Sequence, residues 1–153
     1  VVILLVTFVP QPFTVIPSQR AVVFEDLAGT DISSMNRTIP LNSSIPPLAF
    51  AVKNTGPFRE DIVVNLRLFN LASFGFVIRF IAYKIGSNTT PVDVDTVTFQ
   101  LNASQWAILD LRVISPPPPW PGPLPVDVNF EVHATTRDDV VSSNLTVTLH
   151  VTP

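Results

Sequence analysis

Five asparagines carry the most specific chemical signal in this chain. Asn36, Asn42, Asn88, Asn102 and Asn144 each open an Asn-x-Ser/Thr triplet, and none has proline in the middle position. Such an asparagine is an acceptor for an N-linked glycan when it lies on an exposed segment of an exported chain. With nine asparagines and 25 serines and threonines among 153 residues, chance supplies roughly one or two triplets. The bland explanation is that Asn, Ser and Thr are common in β-proteins. The excess favours a surface protein whose glycans replace missing charge as the solubilising layer.

The other reactive side chains are sparse. Cysteine is absent, so disulfides and thiolate metal sites are excluded. His133 and His150 have no third partner in the pattern and read as solvent-facing strand positions. Asp93 and Asp95 share a strand face, and Asp138 and Asp139 fall in a turn, but no EF-hand spacing marks a calcium loop. Lys53 and Lys84 are candidates for an isopeptide bond to an asparagine, which no spacing selects. There is no nucleophile elbow, no glycine-rich phosphate loop and no carboxylate pair in a cleft-like context, so enzyme chemistry is not expected. No cofactor or metal is expected, only N-linked glycans. The formal charge of −3 is spread without basic runs, which argues against nucleic acid.

The elements that must position these groups are strands. Apolar residues make up 46% of the chain and charged residues only 14%. Ile62, Val64, Leu66 and Leu68 alternate with Val63, Asn65, Arg67 and Phe69. Phe74, Phe76, Ile78, Phe80 and Ala82 form the next inward row. Ala107, Leu109, Leu111 and Val113 follow, with Trp106, Ile108, Asp110 and Arg112 facing out. Val126 to Val132 and Leu145 to Val151 repeat the alternation. Breakers separate the rows at 54–57, 86–91, 115–125 and 135–139. The run "SPPPPWPGPLP" at 115–125 reads as a stiff corner with Trp120 over one end of the core. No 3.6-residue period is sustained. The outcome is an all-β, immunoglobulin-like β-sandwich. Trp106 and Ile108, on an outward face, line either a contact with a neighbour or the underside of a loop.

Residues 97–153 resemble the C-terminal half of immunoglobulin-like modules of archaeal and bacterial cell surfaces. A strand runs into a proline-rich corner, then an extended apolar strand, a polar turn and a threonine-rich last strand. The resemblance supports the fold and an exterior location and names no function.

The opening segment, Val1 to Val9, has one polar side chain, Thr7, and the first charge in the chain is Arg20. It is too short for a membrane-spanning helix, which needs about 20 apolar residues. Pro10, Pro12 and Pro17 exclude a continuing helix, and the Val and Ile content favours extension. The other reading is a residual signal-peptide core. As a strand, it is apolar on both faces and must be covered on both. It pairs either with its own body or with another molecule, and "PQPFTVIP" at 10–17 is a stiff tether that lets it leave. The expected division is a donor strand and tether at 1–19 and a sandwich at 20–153. Of the two faces, Val2, Leu4, Val6 and Phe8 is the set without Thr7, so these are the expected inward residues. The Phe- and Ile-rich stretch 74–82 is the expected acceptor.

This layout resembles the subunits of archaeal thread filaments, surface fibres of immunoglobulin-like subunits joined by donor strands. The resemblance implies an extracellular homopolymer of identical subunits joined head to tail, with no membrane span, serving adhesion or cell–cell contact. The alternative is a monomeric surface module with a cis-paired first strand, binding sugars for example. On the sequon reading, the native protein carries glycans on all five asparagines. Its intact mass should therefore exceed the 16.8 kDa of the bare chain, and a mass equal to the bare chain would refute this.

Overall fold

An extended chain points successive side chains to opposite faces, so an alternating row becomes a strand with one dry face. The computed structural model describes residues 21–138 and 140–153. It contains β1 (Val23–Glu25), β2 (Ser34–Pro40), β3 (Leu48–Lys53), β4 (Glu60–Arg67) and β5 (Val77–Ile85). It continues with β6 (Asn88–Val94), β7 (Thr96–Leu101), β8 (Trp106–Ile114), β9 (Val126–Thr136) and β10 (Ser142–Thr152). No helix occurs among the described residues. The donor-strand residues Val2, Leu4, Val6 and Phe8, and the tether, lie outside them.

The strands form two five-stranded sheets, ordered β1-β3-β8-β5-β6 and β2-β10-β9-β4-β7. Neighbours pair antiparallel except β2, which runs parallel to β10 from Ser34↔Thr146 to Pro40↔Thr152. The fold is an all-β, immunoglobulin-like sandwich. Inward rows of both sheets meet in one core with Phe24, Phe50, Phe80 and Phe130 fully buried among Leu109, Leu111, Val147 and Leu149. Each such side chain contributes roughly 1.5–3 kcal/mol by leaving water. Phe24 meets Phe50 edge-on with ring centroids 5.8 Å apart.

Four expectations are corrected. Ala82 faces outward, because the register of β5 shifts between Phe80 and Ala82. The extra residue of a bulge reverses the alternation beyond it, so Tyr83 turns in and stacks on Phe99 of the opposite sheet at 5.4 Å. Phe74 precedes the strand, in a run of turns closed by Leu71 N–H to Leu68 O and Gly75 N–H to Ala72 O. Gly75 sits there at φ 97°, and a Cβ would meet Pro116 at 3.0 Å, so both backbone sign and space call for glycine. The breaker at 86–91 is only a Gly86–Ser87 turn. From Asn88 the chain is strand, and Pro91 is tolerated because β6 is an edge. The expected acceptor, 74–82, falls largely in β5, which is flanked by β8 and β6 and offers no free edge.

One pole of the sandwich is pinned by a buried amide. Asn54 is fully buried; its Nδ2 donates to Phe58 O at 2.7 Å and Leu101 O at 3.0 Å, and its Oδ1 accepts from Gly56 N–H at 3.0 Å. The chain enters at this pole, where Thr55 N–H bonds Ala21 O at 3.1 Å. Asn54→Ala leaves these groups unpaired and should cost about 1–3 kcal/mol, read as a lowered urea midpoint at unchanged slope.

Candidate functional site

Three surfaces of the described residues have chemistry to offer. The first lies on the outer face of the β1-β3-β8-β5-β6 sheet. Cross-strand register aligns Glu25 with Ala51 and Ile108, and Val23 with Lys53 and Trp106. The turn after β1 rises beside these rows. Asp26 Oδ1 accepts from Ala28 N–H at 3.0 Å and Thr30 N–H at 2.9 Å, and Gly29 supplies the φ of 90°. Together they wall a concavity of about 350 Å³. Trp106 is 51% exposed there, and Glu25 only 8%. The loop-or-contact question for Trp106 and Ile108 thus has a structural answer: a loop rims them without covering the indole.

The second surface is the outer face of the other sheet, where polar residues pair across β9 and β10. His150 Nδ1 lies 2.6 Å from Asp127 Oδ1, Thr148 Oγ1 donates to Asn129 Oδ1 at 2.7 Å, and His133 Nδ1 lies 2.5 Å from Asn144 Oδ1. Both histidines face outward, each with one side-chain partner. Asp93 accepts from Arg79 Nε at 3.1 Å. Asp138 is bound to its own loop, and Asp139 lies outside the described residues. No cluster of three or more His, Asp or Glu side chains occurs among the described residues.

All five sequon asparagines are exposed. Asn36 lies within edge strand β2 and Asn144 near the start of β10. Asn88 opens β6, Asn102 begins the turn before β8, and Asn42 sits in the loop after β2 at φ 55°.

The third surface is the seam between the sheets. β1 pairs only with Ala51–Lys53 of β3. Beyond it, the outer edge of Leu48–Phe50 has no partner strand among the described residues. Edge strand β2 borders the same side of the sandwich, bringing Ile39 and Met35 to the core. At the pole opposite Asn54, Trp120 packs on Phe74 and Phe76 at 5.5 and 6.0 Å, so the proline-rich corner does cap the core.

Sequence reasoning missed Glu25, its turn and the β3 edge. "FEDLAG" at 24–29 holds a turn signal in Asp26 and Gly29, but nothing local reveals that Glu25 faces a pocket. No helix among the described residues is long and apolar enough to cross a membrane.

No family model and no curated protein matches the chain. Solved structures resemble the chain to differing degrees. One is a family 123 glycoside hydrolase from Clostridium perfringens, with a TM-score of 0.53 and 9% identity over 85% of this chain and 27% of that one. The chain thus spans about a quarter of that enzyme's length. Others are the CooA pilin subunit of enterotoxigenic Escherichia coli (TM-score 0.41, 10% identity, 87% of this chain and 99% of that one), and BcpA, the major pilin subunit of Bacillus cereus (0.43, 15%, 86% and 40%). At 9% identity the likeness to the hydrolase is one of fold alone.

The Asp138 carboxylate has a displaced pKa. The Thr136 hydroxyl donates to it at 2.7 Å and Val140 N–H at 3.3 Å, holding it below the ordinary 3.8. A depressed carboxylate stabilises the fold above its unfolded pKa and loses that contribution as pH falls below it. Asp138→Asn should lower the melting midpoint slightly at neutral pH. The gap from the parent should close below pH 3.8, which a pH series of thermal melts will read.

Proposed function

We propose that the chain is a structural subunit of an extracellular, N-glycosylated filament that serves adhesion or cell–cell contact. Identical copies join head to tail, residues 1–9 of one adding a strand to the sandwich of the next. The observation that carries this reading is the edge of Leu48–Phe50 in line with β1, which has no partner strand among the described residues. A bare edge presents unpaired N–H and C=O groups and is a template for an incoming strand. The same chain holds a nine-residue apolar segment, Val1 to Val9, with no covering of its own in its pattern.

Reach and energy support the match. Residues 10–20 extend at most about 36–40 Å, comparable with the roughly 36 Å of an eleven-residue strand such as β10. Burying Val2, Leu4, Val6 and Phe8 supplies on the order of 6–12 kcal/mol before ordering costs, and each ladder hydrogen bond adds roughly 0.5–1.5 kcal/mol. A joint of that strength opens slowly. A heterologous joint that does not close generates an open fibre.

The absence of cysteine makes the joint directly readable. Ala49→Cys should be combined in turn with cysteine at positions 2 to 8, oxidised, and run on a non-reducing gel. A ladder of covalent oligomers is expected, since adjacent strands bring Cα atoms within disulfide range. A cross-linked monomer would instead mean that the segment pairs with its own body. Leu4→Asp should abolish polymerisation, and Thr7→Ser should be tolerated. Fibres of Leu4→Asp subunits in electron micrographs would overturn the mechanism.

A further inference from the structure

The pocket on the outer face of the first sheet contains a carboxylate with no hydrogen-bond or ion-pair partner among the described residues. Glu25 is 8% exposed on β1. The ion pairs among the described residues are Arg79–Asp93, Arg137–Asp61 and His150–Asp127, and the Glu25 carboxylate makes no hydrogen bond within them. A nearly buried carboxylate without a partner is costly. Its neighbour Asp26 is committed to the turn through Ala28 and Thr30. Lys53 shares the pocket wall without closing an ion pair onto Glu25. The exposed indole of Trp106 and the apolar side chains of Ile108, Ala51 and Leu27 complete the lining.

This set of groups selects its ligand by elimination. An anion meets two carboxylates. A cation meets Lys53. A wholly apolar ligand leaves Glu25 unsatisfied, at the cost of a stranded acceptor. What remains is a neutral ligand with one apolar face and several hydroxyls. We propose that this pocket is a carbohydrate-binding site for a neutral pyranose unit. The C–H face of the ring stacks on Trp106. Its hydroxyls donate to the Glu25 carboxylate and accept from the Lys53 ammonium. The cavity of about 350 Å³ is open on its outer side, so the ring can belong to a longer glycan. The site needs no assembly of the chain. On a fibre, however, its repetition along the polymer raises avidity without any new contact.

The test uses the full chain, produced without glycosylation, titrated with glucose, mannose, galactose, N-acetylglucosamine and their short oligomers. Binding is followed by the indole N–H resonances of Trp106 and Trp120. At least one sugar should saturate the Trp106 signal and leave Trp120 in place. Trp106→Ala should weaken binding roughly ten-fold or more, and Glu25→Gln about three- to ten-fold. Trp106→Phe, which keeps an aromatic face and guards against a folding artefact, should fall between the parent and Trp106→Ala. Trp120→Phe, at the far pole, should bind as the parent does. Absence of saturation by every sugar overturns the proposal, as does undiminished binding by Trp106→Ala and Glu25→Gln. Filament growth is scored separately by microscopy, so loss of one property leaves the other readable.

Discussion

A strand satisfies its backbone only where another strand lies beside it, and two open sheets leave four edges to manage. Three of these edges are blunted in this sandwich. β6 carries Pro91, which has no N–H to offer, and opens on the sequon Asn88. β7 presents Thr96, Thr98 and Gln100 outward, and β2 presents Arg37 and the sequon Asn36. The fourth edge is shared. β1 covers the end of β3 near its own pole and stops after three residues, because Asp26 and Gly29 turn the chain towards the other sheet. What the remaining edges refuse leaves Leu48–Phe50 as the edge that the proposed added strand would pair with.

The second constraint is a surface with little charge. The outer face of β9 and β10 meets it with cross-strand polar pairs: Asp127 with His150, Asn129 with Thr148, His133 with Asn144. Exposed ion pairs contribute little in any case. The Arg79–Asp93 pair at 3.1 Å clasps β5 to β6 without being required by the core.

Much of this was legible from alternation. The rows of β4, β8, β9 and β10 fold as their period-two pattern predicts, because each spans enough residues for the inward set to dominate. The sandwich and the capping role of Trp120 follow from them. The start of the body was not legible. β1 has three residues, too few for a period, and β2 reads Ser-Met-Asn-Arg-Thr-Ile-Pro, with two apolar inward positions set by partners far along the chain. The bulge after Phe80 left no local mark, so Ala82 was assigned to the wrong face. The candidate site is split the same way. The asparagines could be named from triplets alone. Glu25 acquires its character only when β1, β3 and β8 lie side by side.

The parallel pairing of β2 with β10 has a mechanical consequence. The two strands stand near opposite ends of the chain yet point the same way, from Ser34↔Thr146 to Pro40↔Thr152. Tension between residues 21 and 153 pulls β2 by its leading end and β10 by its trailing end, in opposite directions along one axis. Ladder hydrogen bonds run across that axis, so they are loaded in shear and must fail together rather than unzip one by one. A body wired in this way resists stretching along the line on which a head-to-tail fibre would bear weight.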